Sequence, residues 1–366
     1  MVTKIGIIGA GQLGQMLGYA AKKLNIECIF LDPNLNSPAK SAGEVLNYEF
    51  SDLEGIKKLS SMVDVITYEF ENVPVEAIDV LGSKYVFPGA RALEIAQDRL
   101  KEKKLFESLD IPVAKYKVIN SFDDLQNTAS EINYPFILKT RRFGYDGKGQ
   151  ITINSPDDIA IAWSQLKDHQ LIAEQMIMFD YEVSAIGARS ISGNIASYPL
   201  TQNKHKEGIL RTSITKNDNQ KLVDDAYKFH TKILTELDYV GVLALELFVV
   251  KGKLIANEFA PRVHNSGHWT IEGAHSSQFE NHLRAILDLQ LGDTSNLGFV
   301  GMENLIGAIP NSLKSLNPKE YFVHDYGKAP RPKRKLGHVT VIAATQEERL
   351  EKLQKIRVIL ENKDLN

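Results

Sequence analysis

The chain is poor in several features whose scarcity is informative. Its 366 residues include one cysteine, Cys28, so neither an internal disulfide framework nor a multi-cysteine metal site can form. A single cysteine points to a cytoplasmic setting. No window holds the roughly 18 uninterrupted apolar residues that a membrane helix needs. Ile5 to Ala10 is short, broken by glycine and without a cleavage-type ending, so the first residues do not read as a signal peptide. Neither charge sign dominates, with 43 Lys and Arg against 46 Asp and Glu. That balance gives no general attraction to nucleic acid or to a membrane. No repeat or low-complexity tract stands out. The length suggests two or three soluble globular domains.

What is present begins with KIGIIGAGQLGQML. An apolar strand, Lys4 to Ile8, runs into Gly9, Gly11 and Gly14, and a helix is expected from Gln12 to Leu24. The G-x-G-x-x-G spacing brings backbone amides close to an anion at a helix N-terminus. Asp32 ends the next strand, Glu27 to Leu31, where a dinucleotide enzyme keeps its ribose-binding acid. NAD is one reading. LDPNLNSPAKSAG speaks for another anion, because proline follows the acid and a Ser/Pro/Ala/Lys run comes after it. Apolar runs at Val63 to Thr67 and Tyr85 to Phe87 continue a βαβ rhythm, the mark of a doubly wound parallel sheet. PGARALEIAQDRLKEKKLFESLDIP reads as helical up to Pro112.

Beyond it the pattern becomes α+β. Strands are expected at Phe136–Lys139, Gln150–Ile153, Leu171–Glu174, Glu182–Arg189, Gly193–Tyr198, Gly241–Val250 and Lys253–Glu258, with turns at Ser192-Gly193 and Lys251-Gly252. A second glycine loop, ILKTRRFGYDGKGQ, interleaves glycines with Lys139, Arg141, Arg142 and Lys148, which suits polyphosphate but lacks Walker spacing. Glu246 and Glu258 sit on apolar strands joined by a tight turn, so register can set them side by side. Two buried carboxylates repel, and Mg²⁺ bridging to phosphate oxygens relieves that repulsion. His264 and His268 are four apart, but Asn265, Ser266 and Gly267 between them are poor helix formers, which argues against a zinc pair. His264 is read as a substrate contact and His268 as structural. After about residue 295 the chain is mixed, with the basic KAPRPKRKLGH, a strand at Val339–Ala343 and a helix at Gln346–Glu361.

Lys139, YDGKGQ, EQMIMFDYEVS and NEFAPRVHNSGHW together resemble the ATP-grasp superfamily. GQLGQML, YDGKGQ, APRVHNSGHWT and RKLGH, in that order, resemble the N5-carboxyaminoimidazole ribonucleotide synthetases within it, over nearly the whole chain. The resemblance implies an α/β and α+β chain with an ATP-grasp fold. A Rossmann-like pre-ATP-grasp domain would occupy 1–100, the nucleotide-binding region 101–294, and a small C-terminal domain completing the substrate site 295–366. It implies a homodimer that carboxylates 5-aminoimidazole ribonucleotide with ATP and bicarbonate in purine biosynthesis, giving ADP and phosphate.

The same resemblance assigns residues. Gly11, Gln12 and Leu13 would help seat the ribonucleotide phosphate, which answers the first loop with an anion other than NAD. Arg99 and Lys139 would reach the ATP phosphates, covered by Gly144, Tyr145, Asp146, Gly147, Lys148, Gly149 and Gln150. Glu174, Gln175, Met176 and Ile177 would line the adenine, Glu182 the ribose, and His205 another part of the nucleotide. Asn257 and Glu258 would close the phosphate end, with Glu246 and Glu258 on Mg²⁺. The ribonucleotide would meet Tyr145, Asp146, Lys148, Arg262, His264, Asn265, Ser266, Arg331, Arg334 and Lys335. Asp146, Lys148, Arg262 and Lys335 are the catalytic candidates, with either Asp146 or released phosphate as base. Phe143 stands where relatives often carry a further glycine. The rivals are a formate-using ATP-grasp transformylase, an NAD-dependent oxidoreductase and a silent nucleotide-binding regulator.

Overall fold

A computed structural model describes residues 2–81, 86–144, 149–216 and 220–362. The first region alternates β1 (Lys4–Ile8), α1 (Gln12–Lys23), β2 (Glu27–Leu31), β3 (Glu44–Leu46), α2 (Leu53–Met62), β4 (Val65–Tyr68) and α3 (Val75–Asp79). Its four strands are all parallel, in the order β3-β2-β1-β4. Nearly every residue of β1, β2 and β4 is buried, as expected when helices cover both faces of a parallel sheet. Tyr85 of the last expected run lies outside the described residues; Val86 makes one parallel bridge to Ile66.

The long helical segment is two helices, α4 (Ala90–Ala96) and α5 (Arg99–Ser108). The break has a local cause. Asp98 adopts an extended backbone, and its carboxylate accepts the Leu100 amide as an N-cap while also binding Arg141. The second helix ends before Pro112, at Asp110 with φ 54°.

A small antiparallel sheet follows, built from β5 (Tyr116–Ile119), β6 (Phe136–Thr140), β7 (Gln150–Ile153) and β8 (Leu171–Gln175) in the order β5-β8-β6-β7. It carries α6 (Phe122–Asn127), α7 (Ala129–Ile132) and α8 (Asp157–Leu166). The remaining strands form one nine-stranded antiparallel sheet. They are β9 (Tyr181–Arg189), β10 (Ile195–Ser197), β11 (Thr201–Lys206), β12 (Ile209–Thr215), β13 (Gly241–Val250), β14 (Lys253–Ala260), β15 (Phe299–Ile306), β16 (Tyr321–Asp325) and β17 (Lys335–Ala343). Packed on it are α9 (Gln220–Glu236), α10 (Thr270–Gly273), α11 (Gln278–Ile286) and α12 (Gln346–Glu361). The strands after residue 295 therefore make no sheet of their own. They extend the large one through β12, whose Thr212, Ser213 and Ile214 face Glu303, Met302 and Gly301 of β15.

His282 ties this sheet to the first domain. Its Nδ1 accepts the Val242 amide at 3.1 Å, which leaves the proton on Nε2 for Thr67 Oγ1 at 2.8 Å. Burial pushes its pKa down to about 4 from 6.5. A depressed histidine contributes stability that is complete above 6.5 and lost as pH falls towards 4, because the unfolded chain takes up the proton first. The loss should be on the order of 3 kcal/mol, at about 1.4 kcal/mol per pH unit. Urea unfolding at pH 7 and 4.5 should show a flatter pH dependence in His282→Gln, which keeps both hydrogen bonds and does not titrate. An unchanged slope would remove His282 as a source of acid lability.

Candidate active site

The first glycine loop already holds anions, and both belong to the protein. Asp32 Oδ2 accepts the Ala10 amide at 2.9 Å. The Glu69 carboxylate accepts Gly11 N and Gly14 N, the latter at 2.6 Å. A Cβ on Gly11 would lie 2.6 Å from Glu69 Oε1, so glycine here makes room for the carboxylate. Burial, with Asp32 nearby, raises the Glu69 pKa even though the two amides favour its charge. Two acids in the loop leave no place for a dinucleotide pyrophosphate, and the NAD reading fails on this geometry. The Leu13 side chain is in the core and the Gly11 amide is held by Glu69, so neither is available to seat a phosphate as the sequence suggested. Gln12 Oε1 accepts Lys328 Nζ at 2.7 Å.

Lys328 was not legible as a site residue and proves central to the basic segment. Burial, then Arg334, Lys335 and Arg331, lower its pKa to about 8, with Glu69 opposing. Lys328 thus joins this cationic segment to the N-terminus of α1. Arg262 lies close by, forked onto Glu71, with Nη2 to Oε1 at 2.9 Å and Nε to Oε2 as the second arm. Burial alone would raise the Glu71 pKa, but Arg262 holds it below the ordinary carboxylate value. Glu69 and Glu71 follow the C-terminal end of β4, the end of a doubly wound sheet where ligands bind.

The hairpin β13–β14 does what its sequence suggested. Lys251 and Gly252 turn with φ 49° and 73°, and Glu246 stands directly opposite Glu258. Asn257 is the extra residue of a bulge, since Leu247 pairs with Ala256. Burial, then the neighbouring Glu258, push the Glu246 pKa up to about 7. Arg99 Nη1 reaches Glu258 Oε2 at 3.2 Å. His264 Nε2 is 3.2 Å from Glu246 Oε1. Its other nitrogen faces Ser266 Oγ at 2.8 Å. Burial and then Arg262 keep this imidazole neutral by lowering its pKa well below the usual value.

Ser266 is fully buried, and its hydroxyl donates to Ser184 Oγ at 3.0 Å, so it acts on the site through His264. The Asn265 amide is doubly paired with Asn304, at 3.1 and 2.8 Å. Glu182 Oε2 and His205 Nδ1 are 2.7 Å apart on β9 and β11.

Glu174 turns its side chain to cations: Oε2 is 3.1 Å from both Lys139 Nζ and Lys103 Nζ. Burial opposes this charge, yet Lys139 and Lys103 bring its pKa down to about 2. Gln175, Met176 and Ile177 follow at the end of β8, with Met176 exposed. Gly144 and Gly149 form the base of the second glycine loop. Gly149 has φ 70°, and Gln150 pairs with Lys139. Tyr145, Asp146, Gly147 and Lys148 lie outside the described residues. Lys335, at the start of β17, is a lesser electrostatic influence on Glu71, Glu246, His205 and His264.

Known proteins match the chain along nearly its whole length. A ribonucleotide synthetase preATP-grasp domain matches residues 2–97, an ATP-grasp domain 104–279, and a phosphoribosylaminoimidazole carboxylase C-terminal domain 301–352. An N5-carboxyaminoimidazole ribonucleotide synthase of Pseudomonas aeruginosa is 42% identical, over 98% of this chain and 99% of its own. One from Brucella melitensis is 44% identical over 93% and 96%. The crystal structure of the Thermus thermophilus N5-carboxyaminoimidazole ribonucleotide synthetase superposes with a TM-score of 0.92 at 42% identity, covering 97% of this chain and 98% of that one. An Aspergillus clavatus synthase in complex with ADP and 5-aminoimidazole ribonucleotide gives 0.91 at 31% identity, covering 99% of both. The chain has an ATP-grasp fold and belongs to the N5-carboxyaminoimidazole ribonucleotide synthase family of ATP-dependent ligases of purine biosynthesis.

Proposed function

We propose that this chain converts 5-aminoimidazole ribonucleotide, bicarbonate and ATP into N5-carboxyaminoimidazole ribonucleotide, ADP and phosphate, through carboxyphosphate. The observation that carries the residue-level reading is the facing pair Glu246 and Glu258, flanked by His264 and by Arg99, each at 3.2 Å. Lys328, Arg331 and Arg334, with the start of α1 at Gln12 and Leu13, would take the ribonucleotide phosphate, a dianion suited to convergent cations. Arg99, Lys139 and the loop from Gly144 to Gln150 would hold the ATP phosphates. The backbone from Glu174 to Ile177 would read the adenine, and Glu182 with His205 the ribose.

Glu246 and Glu258 would hold Mg²⁺, and their chemistry fits. They are facing carboxylates, and burial first, then Glu258, raises the Glu246 pKa. Among the described residues no three His, Cys, Asp or Glu side chains form a metal site, so phosphate oxygens and water would complete the shell. When bound, the ion neutralises charge on the transferring phosphoryl group.

Lys139 and Arg262 orient and neutralise the reactants as a bicarbonate oxygen attacks the γ-phosphorus and ADP leaves. The C–O bond of carboxyphosphate then breaks to CO₂ and phosphate. The exocyclic amine forms the new N–C bond and yields its proton to Asp146 or to the released phosphate. Lys335 would hold the bicarbonate or stabilise carboxyphosphate. A homodimer in the cytoplasm completes the proposal; the buried Cys28 suits a reducing compartment. No helix among the described residues is long and apolar enough to cross a membrane.

The test is ADP release with Mg·ATP, with and without bicarbonate and the ribonucleotide. Dependence on both, with an acid-labile carbamate product, is expected. Formate dependence instead would move the chain to the transformylases, and absence of ADP release would leave a nucleotide-binding regulator. Lys335→Ala should lower carboxylation by about 10²-fold, the scale of a positioned charge, while the Kd for ATP changes far less. Equal loss of both would argue against a role for Lys335 in handling bicarbonate or the ribonucleotide.

A further inference from the structure

Helix α5 points three charged side chains inward from one face, Arg99, Glu102 and Lys103, at helical spacings of three and four. Two have functions in sight. Arg99 pairs with Glu258 and Lys103 with Glu174. Glu102 is 3% exposed, and no catalytic step calls on it. Its Oε1 accepts the backbone amide of Phe259 at 2.7 Å.

The place of that amide matters. β14 is the edge strand of the large sheet, so its outward amides have no neighbouring strand and need other acceptors. Pro112 O serves Ala256 N at 2.7 Å, and Glu102 serves Phe259 N. Between these two anchors lies the bulge at Asn257, where the ladder with β13 slips by one residue. Glu258 stands on this interrupted stretch. The sheet alone does not fix its direction there, because a bulge loosens the local pairing.

We propose that Glu102 is a positioning residue: by holding the Phe259 amide it fixes the bulged edge strand so that Glu258 stands opposite Glu246 for the divalent ion. The inference rests on the metal assignment made above. The essential property is an acceptor at that point, not a charge, so glutamine should serve and alanine should not.

The test is calorimetric binding of ADP to the full chain with and without Mg²⁺. In the wild type Mg²⁺ should tighten ADP. In Glu102→Ala that tightening should shrink about tenfold or more, the scale on which loss of a ligand's hydrogen-bonded support acts, with Mg²⁺-free affinity kept. Glu102→Gln should restore it. Lys103→Met, equally buried on the same helix, should instead weaken ADP in both conditions, since it acts through Glu174 and Lys139. Should Glu102→Ala not fold, Glu102→Asp carries the same expectation, its carboxylate one methylene short of the amide. Full Mg²⁺ tightening in Glu102→Ala, or equal loss with and without Mg²⁺, overturns the inference. No tightening in the wild type overturns the metal assignment itself.

Discussion

Glu258→Gln should lower kcat by about 10²–10³-fold, equivalent to about 3–4 kcal/mol of lost charge stabilisation in the transition state. The protein should remain folded. Glu258 is only part-buried, at 44% side-chain exposure, and Arg99 is its ion-pair partner among the described residues. Its principal neighbour is a like charge, Glu246 directly across the hairpin. Glutamine keeps the shape, relieves that repulsion and removes a metal ligand. Thermal unfolding should therefore stay level or move upward while turnover collapses, the trade expected where function maintains an unfavourable charge arrangement. Full activity at ordinary Mg²⁺ would take Glu258 out of the site.

Glu69→Ala should act in the opposite sense, on stability first. The Glu69 side chain gives acceptors to two amides at the start of α1 from a site 8% exposed. Its removal leaves Gly11 N and Gly14 N without those acceptors and opens a void between the loop and β4. Each unsatisfied buried amide costs about 1–3 kcal/mol, so a loss of about 3 kcal/mol in urea unfolding is expected. Glu69→Gln should lose about half as much, because one oxygen still accepts while the amide NH₂ faces the other donor. A loss below about 1 kcal/mol for Glu69→Ala would mean that water replaces the carboxylate and the loop is not self-capped. Ribonucleotide binding should weaken in the same variant, since the loop would no longer hold Gln12 against Lys328.

Much of this site was legible because its parts are local. Glu246 and Glu258 belong to one hairpin, and a period of two with a turn at Lys251-Gly252 is enough to set them opposite each other. The strand, glycine turn and helix at the start are equally local. What escaped reading was partnership across the fold. Glu69 reaches Gly11 across 58 residues, Glu71 reaches Arg262 across 191, and Lys328 reaches Gln12 across 316. No periodicity encodes such distances. The polar strand β11, TQNKHK, was missed for another reason. Thr201 and Asn203 are buried although polar, and His205 is part-buried against Glu182. An inward face that reads as polar hides a strand from a hydrophobic pattern. The helix break at Asp98 was hidden because the capping residue takes its second partner, Arg141, from β6–β7 territory 43 residues on.

The small sheet has its own apolar core, drawn entirely from residues between Ile119 and Ala173. Its ties to α4 and α5 are polar. Arg141 binds Asp98, Arg142 binds Gln97, Glu174 binds Lys103, and Tyr116 Oη donates to Glu107 at 2.8 Å. Swinging this lobe away would expose ions that water can solvate and would leave both hydrophobic cores closed. Separating this lobe would thus cost less than global unfolding, because it breaks polar ties and not a hydrophobic core. The small sheet and the nine-stranded body would therefore differ in what loosens them: competition for polar ties in the one, loss of apolar packing in the other.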